Sequence, residues 1–421
     1  MRKWWVIGSL SIIMVIGVMT VIQHQVTKVT QTIMQQLSSN YSIHLQPQDL
    51  TFSYFPLSIQ AKNISYQQLQ WQISADQAIF DLSYLDGLSN NQWLKQIQIL
   101  NAKVKQQDQI YLDKVRLAVE IENRVKQKIK LISAESPQLQ DLQGEWVLRQ
   151  EPQRFIVQQL NLQGQLRKPI AQLQKFDLTA EQIEMMQIAD DITLQGKNVI
   201  FNQNRIPELT VQRDPQQITL LISLLEGQLQ ITQRTNSEQQ IEWALQGRKV
   251  PASFFSGVLG YNPIIAGYFD LHGNAMQTST EWVDAELNFF SVGGGQIKGF
   301  NLLGLLGNAL PFPITGLESD MQDTDFEHIE GQLQGNPQQW RLQNTEIVLH
   351  DVRLIGKGDI YPTTSQCEWQ FVIQPTKLEY AKYHLNMDLD GNCFSPTYRI
   401  HLDDAIKNKL KSKLQELLDK I

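Results

Sequence analysis

Ile241-Glu242-Trp243-Ala244-Leu245-Gln246-Gly247 sets large apolar side chains at every second position, with polar or small residues between them. Successive side chains of a β-strand point to opposite faces, so this stretch reads as a half-buried strand. The same alternation runs N-terminally through Phe155-Val157, Leu160-Leu162, Ile192-Leu194 and Ile218-Leu220-Ile222. It returns C-terminally in Leu287-Phe289, Trp340-Leu342, Ile347-Leu349, Trp369-Phe371-Ile373, Leu385-Met387-Leu389 and Tyr398-Ile400-Leu402. One face is apolar and the other rich in glutamine. From about residue 40 onward the chain reads as a meander of roughly fifteen to eighteen antiparallel strands.

One tripeptide recurs in this pattern, at Leu142-Gln143-Gly144, Leu162-Gln163-Gly164, Leu194-Gln195-Gly196, Leu245-Gln246-Gly247 and Leu333-Gln334-Gly335. A glycine in that place is expected to end a strand in a turn or bulge that needs positive φ. The spacings are uneven, which excludes a fixed-period solenoid. Helical interruptions are few: a short piece at 179–186, another at 251–259, and the apolar stretch 302–310, which Pro311 and Pro313 close.

Both ends of the chain differ from this body. Residues 4–22 carry no charged side chain, and about 20 apolar residues suffice to cross a bilayer core. Arg2 and Lys3 precede the run, while Gln23, His24 and Gln25 follow it, so the positive-inside rule leaves a cytoplasmic tail of residues 1–3 and exports the rest. A cleaved signal peptide is the competing reading, but Met19-Thr20-Val21-Ile22 offers no small-x-small site, and Trp4 and Trp5 suit a membrane interface. Within 23–40, Val26, Val29, Ile33 and Leu37 recur at helical spacing and predict an amphipathic helix. Within 403–421, Ile406, Leu410, Leu414, Leu417 and Ile421 form a second such stripe, which either caps an open sheet end or touches anionic lipid.

The formal charge of -7 over 421 residues provides no basic field for a polyphosphate backbone, so nucleic acid is not an expected partner. Cys367 and Cys393 are the two cysteines, and in an oxidising compartment they could close one loop; the other reading is two buried thiols. No His-Glu-x-x-His, Gly-x-Ser-x-Gly or Walker loop occurs. Gly293-Gly294-Gly295 with Gly299 is off the dinucleotide spacing and reads as a tight turn. Asp320, Asp323 and Asp325, and Asp388, Asp390 and Asn392 around Gly391, lack the closing glutamate of a calcium loop and read as turns. The histidines show no zinc-type spacing; His328 and His350 belong on strand surfaces or loops. The expectation is a protein with no enzymatic activity, metal or cofactor.

Particular stretches resemble the AsmA family of bacterial envelope proteins. Ser42-Ile43-His44 and Leu50-Thr51-Phe52-Ser53-Tyr54-Phe55-Pro56-Leu57 look like the family's opening strand pair after its membrane helix. Ile264-Ile265-Ala266-Gly267-Tyr268-Phe269-Asp270-Leu271-His272-Gly273 with Gly295-Gln296-Ile297-Lys298-Gly299-Phe300-Asn301-Leu302 is similar to a paired-strand segment of the family. Phe326-Glu327-His328-Ile329-Glu330-Gly331 through Ile355-Gly356-Lys357-Gly358-Asp359-Ile360 is similar to another. The triple glycine and the short length depart from larger members. The resemblance implies a single-pass inner-membrane anchor and a periplasmic β body of two parts, 41–250 and an AsmA-like 251–402. It also implies kinship with chorein-type bridge-like lipid transfer proteins and a role in phospholipid transport or outer-membrane lipid homeostasis.

The expected fold is therefore mostly β: a transmembrane helix followed by an elongated, curved, largely antiparallel sheet that forms a groove, with a few short helices and a C-terminal amphipathic helix. The implied partners are membrane phospholipid, the inner membrane, and a periplasmic or outer-membrane protein. Trp243, Phe289, Trp340, Trp369 and Phe371 are the candidate lining residues of such a groove, and the alternative is that they form an ordinary sandwich core. A second functional expectation is a non-enzymatic scaffold for outer-membrane protein biogenesis that offers strand edges. A hydrolase would require a serine or aspartate site that no motif reveals.

Overall fold

The computed structural model describes residues 50–402 and Lys407, except 55, 69–70, 84, 87–88, 90–93, 107–108, 124, 152–153, 171, 237–239, 279–281, 300, 303, 305–321 and 394–395. The expected membrane anchor at 4–22 and amphipathic helix at 23–40 lie outside these residues, as does 403–421 apart from Lys407. Among the described residues no helix is long and apolar enough to cross a membrane.

The described chain is mostly β. Twenty-two strands belong to one antiparallel sheet and three short ones to a second. The count exceeds the roughly fifteen to eighteen strands expected from alternation, because many strands carry glutamine or lysine where a greasy residue would have marked them. The large sheet does not close: among the described residues β1 (Leu50–Tyr54) pairs only with β2 (Leu57–Gln68), and β25 (Thr397–Leu402) only with β24 (Leu385–Asn392). The chain divides into two compact units, Met1–Glu151 with Ile156–Pro169 and Gln174–Asp177, and Pro152–Phe155 with Ile170–Leu173 and Leu178–Ile421. The expected division at 250/251 falls inside the second unit.

In the first unit, β2 is followed by β3 (Trp71–Leu82), β4 (Leu94–Gln106), β5 (Gln109–Ile121), β6 (Lys126–Glu135) and β7 (Leu139–Glu151). Residues directly opposite in a ladder share a face, so the register reads out one apolar surface. One row runs Ile59, Phe80, Ile97, Val119, Ile129, Trp146. The next runs Ala61, Ala78, Ile99, Leu117, Leu131, Gly144. On the other face Gln77 donates to Gln60 at 3.1 Å and Gln98 to Asp81 at 3.3 Å.

The strand β8 (Arg154–Ile170) and the start of β9 (Leu173–Ile188) lead into the second unit. There follow β10 (Asp191–Phe201), β11 (Asn204–Arg213), β12 (Gln217–Ser223), β13 (Gln228–Thr235) and β14 (Ile241–Pro251). Then come the helix α1 (Ala252–Leu259), β15 (Ile265–Ala266), β16 (Tyr268–Gln277), β17 (Trp282–Ser291), β18 (Gly295–Ile297) and β19 (Thr324–Phe326). The unit ends with β20 (His328–Gly335), β21 (Trp340–Val348), β22 (Val352–Tyr361), β23 (Gln366–Pro375), a 3-10 turn at Leu378–Tyr380, β24 and β25. Strands β15, β18 and β19 make the small sheet.

Of two expected helices, one is corrected and one is found. Residues 179–186 are not helical but lie inside β9, where Ala180, Ile183 and Met185 pair with Val199, Gly196 and Leu194 of β10. Their helix-favouring Ala, Glu, Gln and Met are overruled by hydrogen bonding along the strand, since propensity is a weak prior against tertiary pairing. The expected helix at 251–259 is α1, ended by Gly260 at φ 78°.

The recurrent Leu-Gln-Gly ends a strand at one of its five occurrences, where Gly335 is the last residue of β20 without positive φ, and not at the other four. Gly144, Gly164, Gly196 and Gly247 lie within β7, β8, β10 and β14, and none of these glycines has positive φ. The left-handed residue comes two positions after two of them, at Asn198 and Lys249, both with φ 48°. A Cβ on Gly196 would lie 2.9 Å from Val199 Cγ2, and one on Gly247 the same distance from Val250 Cγ2. Each glycine therefore makes room for the valine three residues on, and between Gly247 and Val250 the register with β16 shifts in a bulge. There the Lys249 N–H donates to Asp270 Oδ1 at 2.7 Å.

Cys367 and Cys393 form a disulfide with their Cα atoms 5.1 Å apart, tying the start of β23 to the turn that leads into edge strand β25. Closing a loop of this length restricts the unfolded chain. The double variant Cys367→Ser/Cys393→Ser is expected to lose about 3 kcal/mol in denaturant titration, with no change on adding reductant.

Candidate functional site

The apolar face of the second unit consists of four rows across the strands. The outer row, nearest the short turns at 336–339 and 362–365, runs Trp243, Ala275, Ala285, Gly335, Trp340, Ile360, Cys367. The second runs Leu245, Gly273, Leu287, Leu333, Leu342, Gly358, Trp369, Leu389. The third holds Gly247, Leu271, Phe289 and Gly331, then Gly356, Phe371 and Met387. The inner row holds Val250 and Phe269, then Ile347, Leu354, Ile373 and Leu385. All of Trp243, Phe289, Trp340, Trp369 and Phe371 thus stand on one face, as their alternation demands.

Their surroundings separate them. Ile373 and Leu385 have no exposed area, and Leu354 is 1% exposed. Leu302, Phe326 and Tyr383 pack with this inner row, joined by Ala252 of α1, Ile297 of β18 and Tyr380, and none of these belongs to the large sheet. A second layer therefore covers the inner row. Phe371 belongs to that closed core, and Phe289 and Trp369 pack against it. Trp243 and Trp340 are half-buried and outside it.

Glycines keep the aromatic rings flat on the sheet. A Cβ on Gly356 would meet Phe371 Cδ1 at 2.3 Å, one on Gly358 would meet Trp369 Cδ1 at 2.3 Å, and one on Gly331 would meet Phe289 Cζ at 2.7 Å. Each ring lies over the bare backbone of the neighbouring strand. Trp369 and Phe371 meet edge to face at 6.5 Å, and Phe269 contacts Phe289 at 6.4 Å and Phe326 at 6.5 Å, all within the range of favourable ring pairs.

The first unit differs. Among the described residues, two of its apolar clusters take every member from the strands of the sheet, among them Ile59, Ala61, Phe80, Ala102, Val115 and Leu131. Among the described residues no second layer contributes to them. The small Ala61, Ala78, Ala102 and Ala134 are buried beneath larger neighbours, while Ile97, Ile99, Leu117, Ile129 and Trp146 remain half-buried.

One arrangement missed by motif reading has the outline of a nucleophile site: Ser291 Oγ lies 3.3 Å from His328 Nδ1, and His328 Nε2 lies 3.1 Å from Glu330 Oε2. Its geometry is structural. Ser291 is 6% exposed, and its Oγ accepts the Ile329 N–H at 2.9 Å, continuing the β17–β20 pairing where the backbone ladder ends. His350 faces Glu327 at 3.2 Å on the surface. The described acidic residues of the two clusters are likewise engaged: Asp323 accepts the Gly299 N–H at 2.8 Å, Asp325 accepts from Gln296 at 3.0 Å, and Asp388 and Asp390 pair with His401 and Arg399, while Asp320 lies outside the described residues. Among the described residues no group of histidine, cysteine or acidic side chains could hold a metal.

On the polar face of the first unit, a cavity of about 350 Å³ is lined by Asn101, Lys114, Arg116, Ser133, Ala134, Glu135 and Asp141. Hydrogen bonds from Lys114 at 3.0 Å and Arg167 at 2.5 Å hold the Glu135 carboxyl below the usual carboxylate range. Hydrogen bonds from Asn288 and Gln332 do the same for Glu286. Lowered folded-state values make both carboxylates stabilising above the ordinary carboxylate range, and that contribution is lost as pH falls through and below it. Glu135→Gln is therefore expected to shrink the loss of thermal stability between neutral and acid pH, read as Tm against pH. An unchanged slope would remove Glu135 from the account.

No protein-family model matches the chain. A protein of Haemophilus influenzae carrying the description "Uncharacterized protein" is 26% identical over 175 residues, which is 39% of this chain and 44% of that relative. The chain thus spans less than half the length of this relative.

Proposed function

We propose that the chain holds the acyl chains of membrane phospholipid along the apolar face of its sheet and serves phospholipid transport or outer-membrane lipid homeostasis. Anchoring at the bacterial inner membrane, with the β body in the periplasm, belongs to the same reading, as does the resemblance to the AsmA family. The observation that carries it is the single-layer apolar face of the first unit. A surface of Ile97, Ile99, Leu117, Ile129 and Trp146 over which no covering layer lies among the described residues leaves greasy area facing water. Extended apolar patches on a folded protein mark a binding surface.

Acyl chains supply the missing half of such a core. Each buried methylene contributes about 0.8 kcal/mol, and because the contacts lack direction a chain can slide along the face. Head groups remain in water. The test is native mass spectrometry of the full-length chain purified in mild detergent, where bound phospholipid is the expected result. A chain that is lipid-free in several detergents would overturn the reading.

A scaffold for outer-membrane protein biogenesis is the second reading. It draws on edge strands β1 and β25, each paired on one side only among the described residues. Crosslinking separates the two, since a scaffold captures barrel precursors along β25 and a lipid carrier does not.

A further inference from the structure

The lipid-binding reading leaves open which part of the second unit's apolar face a chain can reach. There, the long connections all leave the same end of the strands. Helix α1 and β15 join β14 to β16, β18 and β19 join β17 to β20, and the Leu378–Tyr380 turn joins β23 to β24. In an antiparallel meander these three connections, with the short one at 349–351, alternate with the connections at 278–281, 336–339, 362–365 and 393–396, which fall at the opposite end. Among the described residues, what covers the apolar face therefore arrives from one flank, over the inner row.

Three contacts seal that flank. The Leu302 N–H donates to Thr324 Oγ1 at 2.8 Å, with Thr324 1% exposed. Phe326 stacks against Phe269 of the large sheet, and a Cβ on Gly295 would lie 2.4 Å from Phe326 Cζ, so β18 presses directly onto that ring. The Tyr383 N–H bonds the Tyr380 carbonyl at 2.9 Å, and Tyr383 itself is 5% exposed against the same core. A closely packed interior has no room for a further chain, and opening it would forfeit the contacts of every lining atom.

On the other flank nothing comparable is present among the described residues. Trp243, Leu245, Leu287, Leu333, Trp340 and Ile360 are all half-buried along the outer and second rows, in which Leu342, Cys367 and Leu389 are buried. We infer that the second unit binds acyl chains only along the strip of these half-buried residues, as a one-sided groove. Its inner wall is the fixed core of Leu354, Phe371, Ile373 and Leu385, and its open side faces the short turns. The inference rests on the lipid-binding reading and adds to it where in this unit a chain lies and where it cannot.

The test places photoreactive benzoylphenylalanine singly at aromatic positions of the full-length chain, irradiates intact membranes, and reads phospholipid adducts by mass spectrometry. Trp243 and Trp340 report the strip, Phe326 and Tyr383 the sealed flank, and Trp146 the face of the first unit; because the added benzoyl group overpacks a sealed position, the Tm of each variant is measured and adducts are compared among variants that keep a cooperative transition. Adducts at 146, 243 and 340, at least tenfold above those at 326 and 383, are the expected result. Equal adducts at 326 or 383 overturn the sealed flank while leaving lipid binding intact. Adducts at 146 but not at 243 or 340 overturn the strip in the same way. No adducts at any position, 146 included, would overturn the lipid-binding reading itself.

Discussion

Leu117→Asp, and separately Ile129→Asp, is expected to reduce the phospholipid that co-purifies with the chain at least tenfold while leaving it folded. Both residues stand on the apolar face of the first unit, Leu117 opposite Ile99 and Leu131, Ile129 opposite Val119 and Trp146. Both are half-buried. A carboxylate there has two environments to choose between. With the face bare it reaches water, so folding loses only part of one side chain's apolar burial, about 1–2 kcal/mol. With an acyl chain over it, the charge must be stripped of water or must push the chain aside. A penalty of only about 1.4 kcal/mol already lowers occupancy tenfold, and burying an unpaired charge costs well above that. Lipid content by mass spectrometry and Tm by calorimetry are measured on the same preparation. Undiminished lipid in both variants would remove this face from the binding surface, and loss of folding would show that a second layer covers it.

Much of this surface was legible in the sequence, and the reason is the period of two. Once Ile241, Trp243 and Leu245 share a face, so must their ladder partners, and Trp243, Phe289, Trp340, Trp369 and Phe371 fall on one side without further information. What covers that side was not legible. The residues that seal the inner row, Leu302, Phe326 and Tyr383, come from connections whose local pattern carries no sign of what they pack against. Phe371 and Trp340 therefore looked equivalent as sequence, yet one lies in a closed core and the other at its rim. The glycines were misjudged for a related reason. Conformational freedom is the local reason to use glycine, whereas in Leu-Gln-Gly a Cβ on Gly164 would meet Phe176 Cε1 at 2.8 Å and one on Gly247 would meet Leu271 Cβ at 3.1 Å, contacts with other strands that local sequence does not display. In β9, Thr179-Ala180-Glu181-Gln182 resembled a helix because local propensity was all that could be read, and pairing with β10 decided otherwise.

The two units should respond to substitution in opposite ways, and Ile373→Ala or Leu385→Ala is the counterpart of the aspartate variants. Ile373 pairs with both Leu354 and Leu385, and Ile373 and Leu385 have no exposed area. Core and lid atoms surround each, so truncation removes transfer free energy and leaves a cavity that β23 and β24 cannot collapse without breaking their ladders. A loss of about 2–5 kcal/mol is expected for each in denaturant titration. The double variant should depart from the sum, because the two side chains touch the same cavity. Phospholipid content should stay unchanged in whatever fraction remains folded, since neither residue faces the open strip. This pairing of large stability loss with constant lipid distinguishes a core from a lining. A cost below about 1 kcal/mol would mean that the inner row is loosely covered. Lipid lost in proportion to stability would mean that acyl chains, rather than Leu302, Phe326 and Tyr383, complete that row.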